Sequence, residues 1–254
     1  MIINILDHLR KLIIDENIKS NWNTNDKFYL IKHLSIDQRG RVGEHFLKDV
    51  FSALNKSVVY VNNAHGDWDI EVNGIKIEVK LATLDVNNKF QHEGIKSSKK
   101  WDMVCFIDIA PNSLYLTFLN KNDFEFNSTG GTFNLYGKKC NSHFRGNDTN
   151  PKRATGSGYK VDFKLKDLVE VKTIKDIEEL FEAQILRYKL NKEIYFNDYD
   201  IPVNINYDDL GLSRVSVQIL KKAMPKKLSD AYLISGLNPV DFKLLVGQVE
   251  TRKK

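Results

Sequence analysis

Apolar positions along this chain recur with two periods, and the switch between them marks its elements. In residues 2–36, Leu6, Leu9, Leu12 and Ile13 have helical spacing, and the polar break Asn21–Asp26 predicts two helical stretches. From Arg39 to Asn55 an amphipathic helix is expected, with Val42, Phe46, Leu47, Val50 and Leu54 as its stripe. Val58–Val61 reads as a short β-branched strand. Asp67–Val72 and Ile75–Leu81 then alternate with period two around Asn73-Gly74, the preferred pair for a two-residue type I′ hairpin turn.

The polar segment Ala82 to Lys100 is expected to be part helix and leads to the apolar strand Met103–Ile109. Pro111-Asn112-Ser113 turns the chain into another strand, Leu114–Leu119. Strand, crossover and strand predict an α/β fold with a central mixed β-sheet flanked by helices. Residues 127–160, rich in Gly, Asn, Ser, Thr and basic side chains, read as a long loop, followed by a strand at Lys160–Leu165 and a helix at Ile174–Leu190. An Asn/Asp run over 197–209 with Pro202 suggests a linker, and 208–250 a small helical set punctuated by Pro225, Gly236 and Pro239. The expected division is a core, 1–195, and a helical C-terminal region, 196–254.

Composition narrows the class. The chain has 254 residues, 42% hydrophobic and 28% charged, as expected of an ordinary globular protein. No apolar run approaches the ~18–20 residues of a membrane span. The N-terminus carries acids within its apolar stretch and lacks a small-residue cleavage site, so no signal peptide and no membrane association are expected. Two cysteines, Cys105 and Cys140, make neither a disulfide framework nor a four-ligand zinc site, which fits a reducing, cytoplasmic compartment.

The formal charge is +5, and residues 138–160 alone hold six Lys/Arg against one acid, Asp148. Charge so concentrated points to a polyanion, with Lys138, Lys139, Arg145, Lys152 and Arg153 as candidate DNA contacts. Gly130-Gly131 and Gly156-x-Gly158 do not open a phosphate-binding loop, so no nucleotide cofactor is expected. The stretch from Asp208 to Leu237 resembles the helix-hairpin-helix type found at the C-terminal end of the α polypeptide of bacterial RNA polymerase, which would make it an accessory DNA-binding element; a structural helical cap or a dimerisation element is the alternative reading.

Counting out from the turn pairs Val72 with Ile75, Glu71 with Lys76, Ile70 with Ile77, Asp69 with Glu78, Trp68 with Val79 and Asp67 with Lys80. Alternation then puts Trp68, Ile70, Val72, Ile75, Ile77 and Val79 on one, inward face and the charged residues on the other. Asp69 opposite Glu78 is a like-charge pair and destabilising by itself. A hard divalent cation between the carboxylates reverses that sign. Lys80, on the same face, is placed to orient a water, and the set suits metal-assisted phosphodiester hydrolysis.

The run GDWDIEVNGIKIEVK resembles the core motif of the PD-(D/E)XK, or restriction-endonuclease-like, nuclease superfamily. Asp69 matches the motif's first acid, Glu78 its second, Val79 its variable position and Lys80 its lysine; Trp68 stands where the motif has proline. Asp67 is the rival first acid. RGRVGEHFLKDVF resembles the family's preceding helix, with Glu44 in the place of its glutamate, and Gln91 in KFQHEG matches a glutamine that follows the lysine.

The resemblance implies a Mg²⁺-dependent type II restriction endonuclease acting on double-stranded DNA as a homodimer. Asp69, Glu78 and the Val79 carbonyl would hold the metal, with Lys80, Glu44 and Gln91 completing the site. A repair or structure-specific nuclease of the same superfamily and a non-catalytic DNA-binding module are the alternatives. His65 and His92 read as incidental surface histidines.

Overall fold

The computed structural model describes residues 21–60, 66–127, 130–145, 158–189, 197–234 and 236–251. The expected helix at the N-terminus and the candidate contacts Lys152 and Arg153 lie outside these residues, as does His65.

Helix α1, Ile36–Ala53, begins three residues before its apolar stripe predicts. Ser35 and Gln38 form a capping box: Gln38 N donates to Ser35 Oγ at 3.2 Å and Ser35 N to Gln38 Oε1 at 2.8 Å. Such reciprocal bonds satisfy end donors that periodicity cannot see. The line it buries is Gly43, Leu47 and Phe51, with Phe46, Val50 and Leu54 along its edge. Val42, expected in the stripe, is 42% exposed and borders an open apolar groove with Leu34 and Phe46.

A central sheet follows from β1 (Val58–Tyr60), β2 (Ile70–Val72) and β3 (Ile75–Thr83). Strand β4, Lys89–Ile95, occupies the segment expected to be part helix. Phe90 and His92 point inward while Gln91 and Glu93 face out, and at Gly94, with φ 72°, the alternation shifts so that Ile95 is buried too, a pattern obscured further because one inward residue is a histidine. Strands β5 (Met103–Ile109) and β6 (Leu114–Asn120) match their predicted positions.

The expected loop 127–160 is largely strand in its described parts: β7 (Phe124–Asn127), β8 (Gly130–Leu135), β9 (Lys138–Arg145) and β10 (Gly158–Lys164). Strands β8 and β9 join through Tyr136-Gly137, both with positive φ, 49° and 81°. Tyrosine in a left-handed turn position is not the Asn-Gly signature, so this hairpin escapes sequence reading. Strand β11, Glu170–Val171, and helix α2, Ile174–Lys189, complete the core.

The first sheet has the order β1-β2-β3-β5-β6-β11, with β3 and β5 parallel and its other pairs antiparallel. The second, β4-β10-β9-β8-β7, is wholly antiparallel. The fold is therefore α/β, with a central mixed sheet flanked by helices, and the connection between its parallel strands carries a strand where a helix is expected.

Helices cover one face of the mixed sheet. Phe51, Phe118 and Phe181 meet there, with ring centroids 4.6 to 6.4 Å apart. At Gly43 a Cβ would stand 3.3 Å from Val79 and Ile107, so α1 approaches β3 as closely as a glycine allows. The second sheet covers the other face, where Phe106 packs edge-on against Phe163 at 4.9 Å.

His92, expected on the surface, is buried there with its Nε2 2.7 Å from Asp108 Oδ1. Helices α3 (Arg214–Ala223), α4 (Leu228–Tyr232) and α5 (Pro239–Thr251) add Val215, Ile219, Leu220, Leu228, Phe242 and Leu245 to the same apolar core. Arg214 of α3 ion-pairs with Asp176 of α2, and Lys221 and Lys222 bond Asp208 and the Lys166 carbonyl.

Candidate active site

Around Asn73-Gly74, with φ of 49° and 82°, the hairpin pairs Val72 with Ile75, Glu71 with Lys76 and Ile70 with Ile77. The turn thus holds the register that counting predicts. The ladder then departs from it. Asp69 N donates to the Ile77 carbonyl at 3.0 Å, and Val79 N donates to Asp69 Oδ2 at 2.7 Å. A carboxylate has taken a backbone acceptor's place at the end of the strand.

Extension of the count to Asp69–Glu78, Trp68–Val79 and Asp67–Lys80 fails for that reason: the paired ladder ends at Ile70–Ile77, and Asp69 bonds Ile77 and Val79 on either side of Glu78. The ring of Trp68 receives Lys76 Nζ 4.3 Å from its centroid, and Asp67 lies 3.8 Å from Lys100 Nζ. Of the two rival acids, Asp69 is the one placed against β3.

Glu78 has no solvent-exposed surface, although alternation assigns it to the polar face. The chain leaving β4 folds over that face and brings a residue that no motif marks. Lys99 Nζ donates to both Glu78 oxygens, at 3.1 and 2.9 Å, and Lys80 Nζ donates to Oε1 at 2.6 Å. One buried carboxylate therefore holds two ammonium groups, as a buried charge requires when water is excluded. Burial raises the Asp69 carboxyl to about 6, with the neighbouring Glu78 charge adding to the rise and the Val79 amide and Lys80 opposing it.

Glu44, in the third turn of α1, is half-buried, and its Oε2 accepts the Tyr60 hydroxyl at 3.0 Å. Burial, then this contact, raises the Tyr60 phenol above its ordinary range. Tyr60 is a second neighbour that sequence reading misses. The Glu44 charge adds to the rise at Asp69, which puts the helix on the aspartate's side of the site.

Gln91 is placed elsewhere. Its Nε2 donates to Asp85 at 3.2 Å and its Oε1 accepts Lys160 Nζ at 3.0 Å. Strand β4 runs back from Asp85, past the end of β3, toward Lys99, so Gln91 begins that return and Lys99 completes it. The side chain brought to Glu78 from this segment is Lys99.

The candidate DNA contacts divide similarly. Lys138 and Lys139 are exposed on β9, and Lys139 pairs with Glu125 at 2.9 Å. Arg145 ends the same strand. Lys160, counted in the basic stretch, is buried against Gln91 and Asp162 and contributes little outward charge.

Asp69 and Glu78 are hard oxygen donors, with the Val79 carbonyl beside them on β3. The burial of Glu78 and the raised Asp69 carboxyl mark a place where a cation would relieve repulsion. That donor set fits Mg²⁺, which takes one or two carboxylates and keeps several waters. Among the described residues, no cluster of three or more His, Cys, Asp or Glu side chains is gathered to hold a metal ion.

No family model matches the chain. A stretch of 55 residues, 21% of this chain, is 44% identical to the tRNA uridine 5-carboxymethylaminomethyl modification enzyme MnmG of Mycoplasmopsis synoviae. A stretch of 81 residues, 31% of this chain, is 35% identical to the Listeria welshimeri enzyme of the same name. The chain spans only 9% and 13% of those relatives' lengths. Among solved structures, the bacterial homing endonuclease I-Ssp6803I is similar, covering 47% of this chain and 83% of its own, with 10% identity and a TM-score of 0.29. A likeness at that level carries no weight for function. No helix among the described residues is long and apolar enough to cross a membrane.

Proposed function

We propose that this protein is a Mg²⁺-dependent endonuclease that hydrolyses phosphodiester bonds of duplex DNA. The observation that carries the reading is the half-buried Asp69 beside the buried Glu78, with Lys80 on the second carboxylate. A carboxylate with no solvent exposure is retained within β3, beside a second whose carboxyl is raised to about 6, where an ordinary core would have apolar side chains.

Asp69, Glu78 and the Val79 carbonyl would hold the ion. When bound, Mg²⁺ would supply Lewis-acid stabilisation of a phosphate oxygen and make a coordinated water easier to deprotonate. Lys80 would orient the attacking water through its Nζ and offset negative charge developing on the phosphate. Glu44, held by Tyr60, would accept hydrogen bonds from waters on the Asp69 side. Gln91 takes no part in this account. Lys138, Lys139 and Arg145 on β9, with Lys152 and Arg153 beyond it, would contact backbone phosphates.

The finer reading is type II restriction: cutting at a short sequence, with a homodimer matching the two-fold symmetry of a palindromic site. Its support is the family resemblance together with the basic, Asn- and Ser-rich stretch suited to reading base edges. The test is digestion of unmethylated phage DNA with Mg²⁺, beside an EDTA control and Lys80→Ala, with fragment ends sequenced. Discrete fragments sharing one motif, lost in both controls, are expected. Cutting without a shared motif would favour a repair or structure-specific nuclease. Because the partial relatives act on tRNA by name, tRNA is included as a substrate, and cleavage of tRNA alone would overturn the DNA assignment.

A further inference from the structure

The two ammonium groups on Glu78 are not equivalent. Lys80 lies two residues along the same strand and reaches one oxygen; Lys99 comes from 21 residues away and spans both. Lys99 belongs to the run Lys96-Ser97-Ser98-Lys99-Lys100, whose backbone is pinned from below. Trp101, 1% exposed, packs edge-on against Phe124 and Phe126 and donates its Nε1 to the Lys96 carbonyl at 2.9 Å. Lys121 Nζ donates to the Lys99 carbonyl and lies 4.9 Å from the Trp101 ring centroid. The turn is fixed, yet the Lys99 side chain remains 25% exposed, so its ammonium has a path to solvent.

Resting on the nuclease reading, we propose that Lys99 is an electrostatic lock on the metal site, holding both Glu78 oxygens until a nucleic-acid phosphate draws its ammonium away. With Lys80 and Lys99 in place, the charges of Asp69 and Glu78 are already balanced. A dication entering that arrangement adds uncompensated positive charge beside two ammonium groups and must displace Lys99 from both oxygens. A phosphate at the Lys96–Lys100 turn offers Lys99 another anion and frees the carboxylate. Ion and DNA then bind cooperatively, each raising the affinity of the other by the same factor. Lys99 is thus a positioning residue that biases metal loading toward the DNA-bound protein.

The test is Mn²⁺ binding to the full chain, followed through the electron paramagnetic resonance of free Mn²⁺, with and without a phosphorothioate duplex. Lys99→Gln is expected to bind Mn²⁺ at least about tenfold more tightly than wild type without DNA. The duplex should tighten wild-type binding by about tenfold and that of Lys99→Gln by less than about threefold. Lys99→Arg, which keeps the charge, should behave as wild type, and Glu78→Gln should lose the ion in every condition. Equal affinities for wild type and Lys99→Gln, with binding still lost in Glu78→Gln, would overturn the lock and leave the metal site standing. Binding unaffected by Glu78→Gln, or absent from all variants, would overturn the metal site and the lock together.

Discussion

Asp69 shows how one side chain can take the place of backbone at the end of a β-hairpin. Its Oδ2 replaces a backbone acceptor for Val79, and the cost of that position appears in a carboxyl raised to about 6. A carboxyl with a higher pKa in the folded chain than in the unfolded one binds its proton more readily when folded. Stability in chelator should therefore fall as pH rises from about 4 to about 6, and the penalty should persist above that. Asp69→Asn keeps an oxygen for Val79 and removes the charge. It should stabilise the metal-free protein by up to about 3 kcal/mol at pH 7.5, since each tenfold change in proton affinity is worth roughly 1.4 kcal/mol. The gain should shrink below pH 6 and vanish near pH 4 in urea unfolding curves; a constant gain across that range would contradict the burial argument.

Asp69, Glu78 and Lys80 can be named from the chain because they stand in one short contiguous motif, while counting from Asn73-Gly74 holds only as far as Ile70–Ile77. Lys99 and Tyr60 cannot: one arrives on a turn with no period and the other on a short strand. Gln91 shows the opposite failure, since its match rests on order along the chain while its position follows the direction of β4.

The elements that patterning identifies are those with one apolar face and a recognisable end. Helix α1 and the first hairpin satisfy that description, while β5, buried along its whole length, is legible as a continuous apolar run and β6 by the Pro111-Asn112-Ser113 turn before it. The second sheet does not. Its strands mix outward Lys, Asn and Thr with inward aromatics, its β8–β9 turn is Tyr-Gly, and β4 hides a buried His92–Asp108 pair. Polar composition therefore suggests a loop where edge-on aromatic packing builds a sheet.

The contact between α1 and β3 also makes a prediction at this scale. Gly43→Val would place a branched side chain on a Cβ already 3.3 Å from Val79 and Ile107 and 3.4 Å from Leu81. It should cost about 1–3 kcal/mol by overpacking and displace α1 from β3. Thermal unfolding and the loss of Glu44–Tyr60 proximity would report both; an unchanged midpoint would show that the helix can shift freely.

At the scale of the whole molecule, the layers explain why the site is buried on one side and open on the other. Helices close one face of the mixed sheet and the second sheet closes the other, while Asp69 stands at a strand end. The concentrated positive charge is divided by folding: Lys139 and Lys160 are compensated by Glu125 and Asp162, and Lys138 remains exposed. The helices after residue 208 join the core through α2, so their basic side chains at Arg214, Lys221 and Lys222 are engaged within the chain.

The central claim is that the Asp69–Glu78 carboxylate pair is the centre of a metal-dependent nuclease. Conversion of supercoiled plasmid to nicked and linear forms tests it most directly, comparing wild type with Asp69→Asn and Glu78→Gln in Mg²⁺ and in EDTA. Cleavage by the wild type in Mg²⁺ alone, reduced at least about a hundredfold in each variant while both remain folded, is the predicted result. Cleavage that survives either substitution, or that proceeds in EDTA, would contradict it.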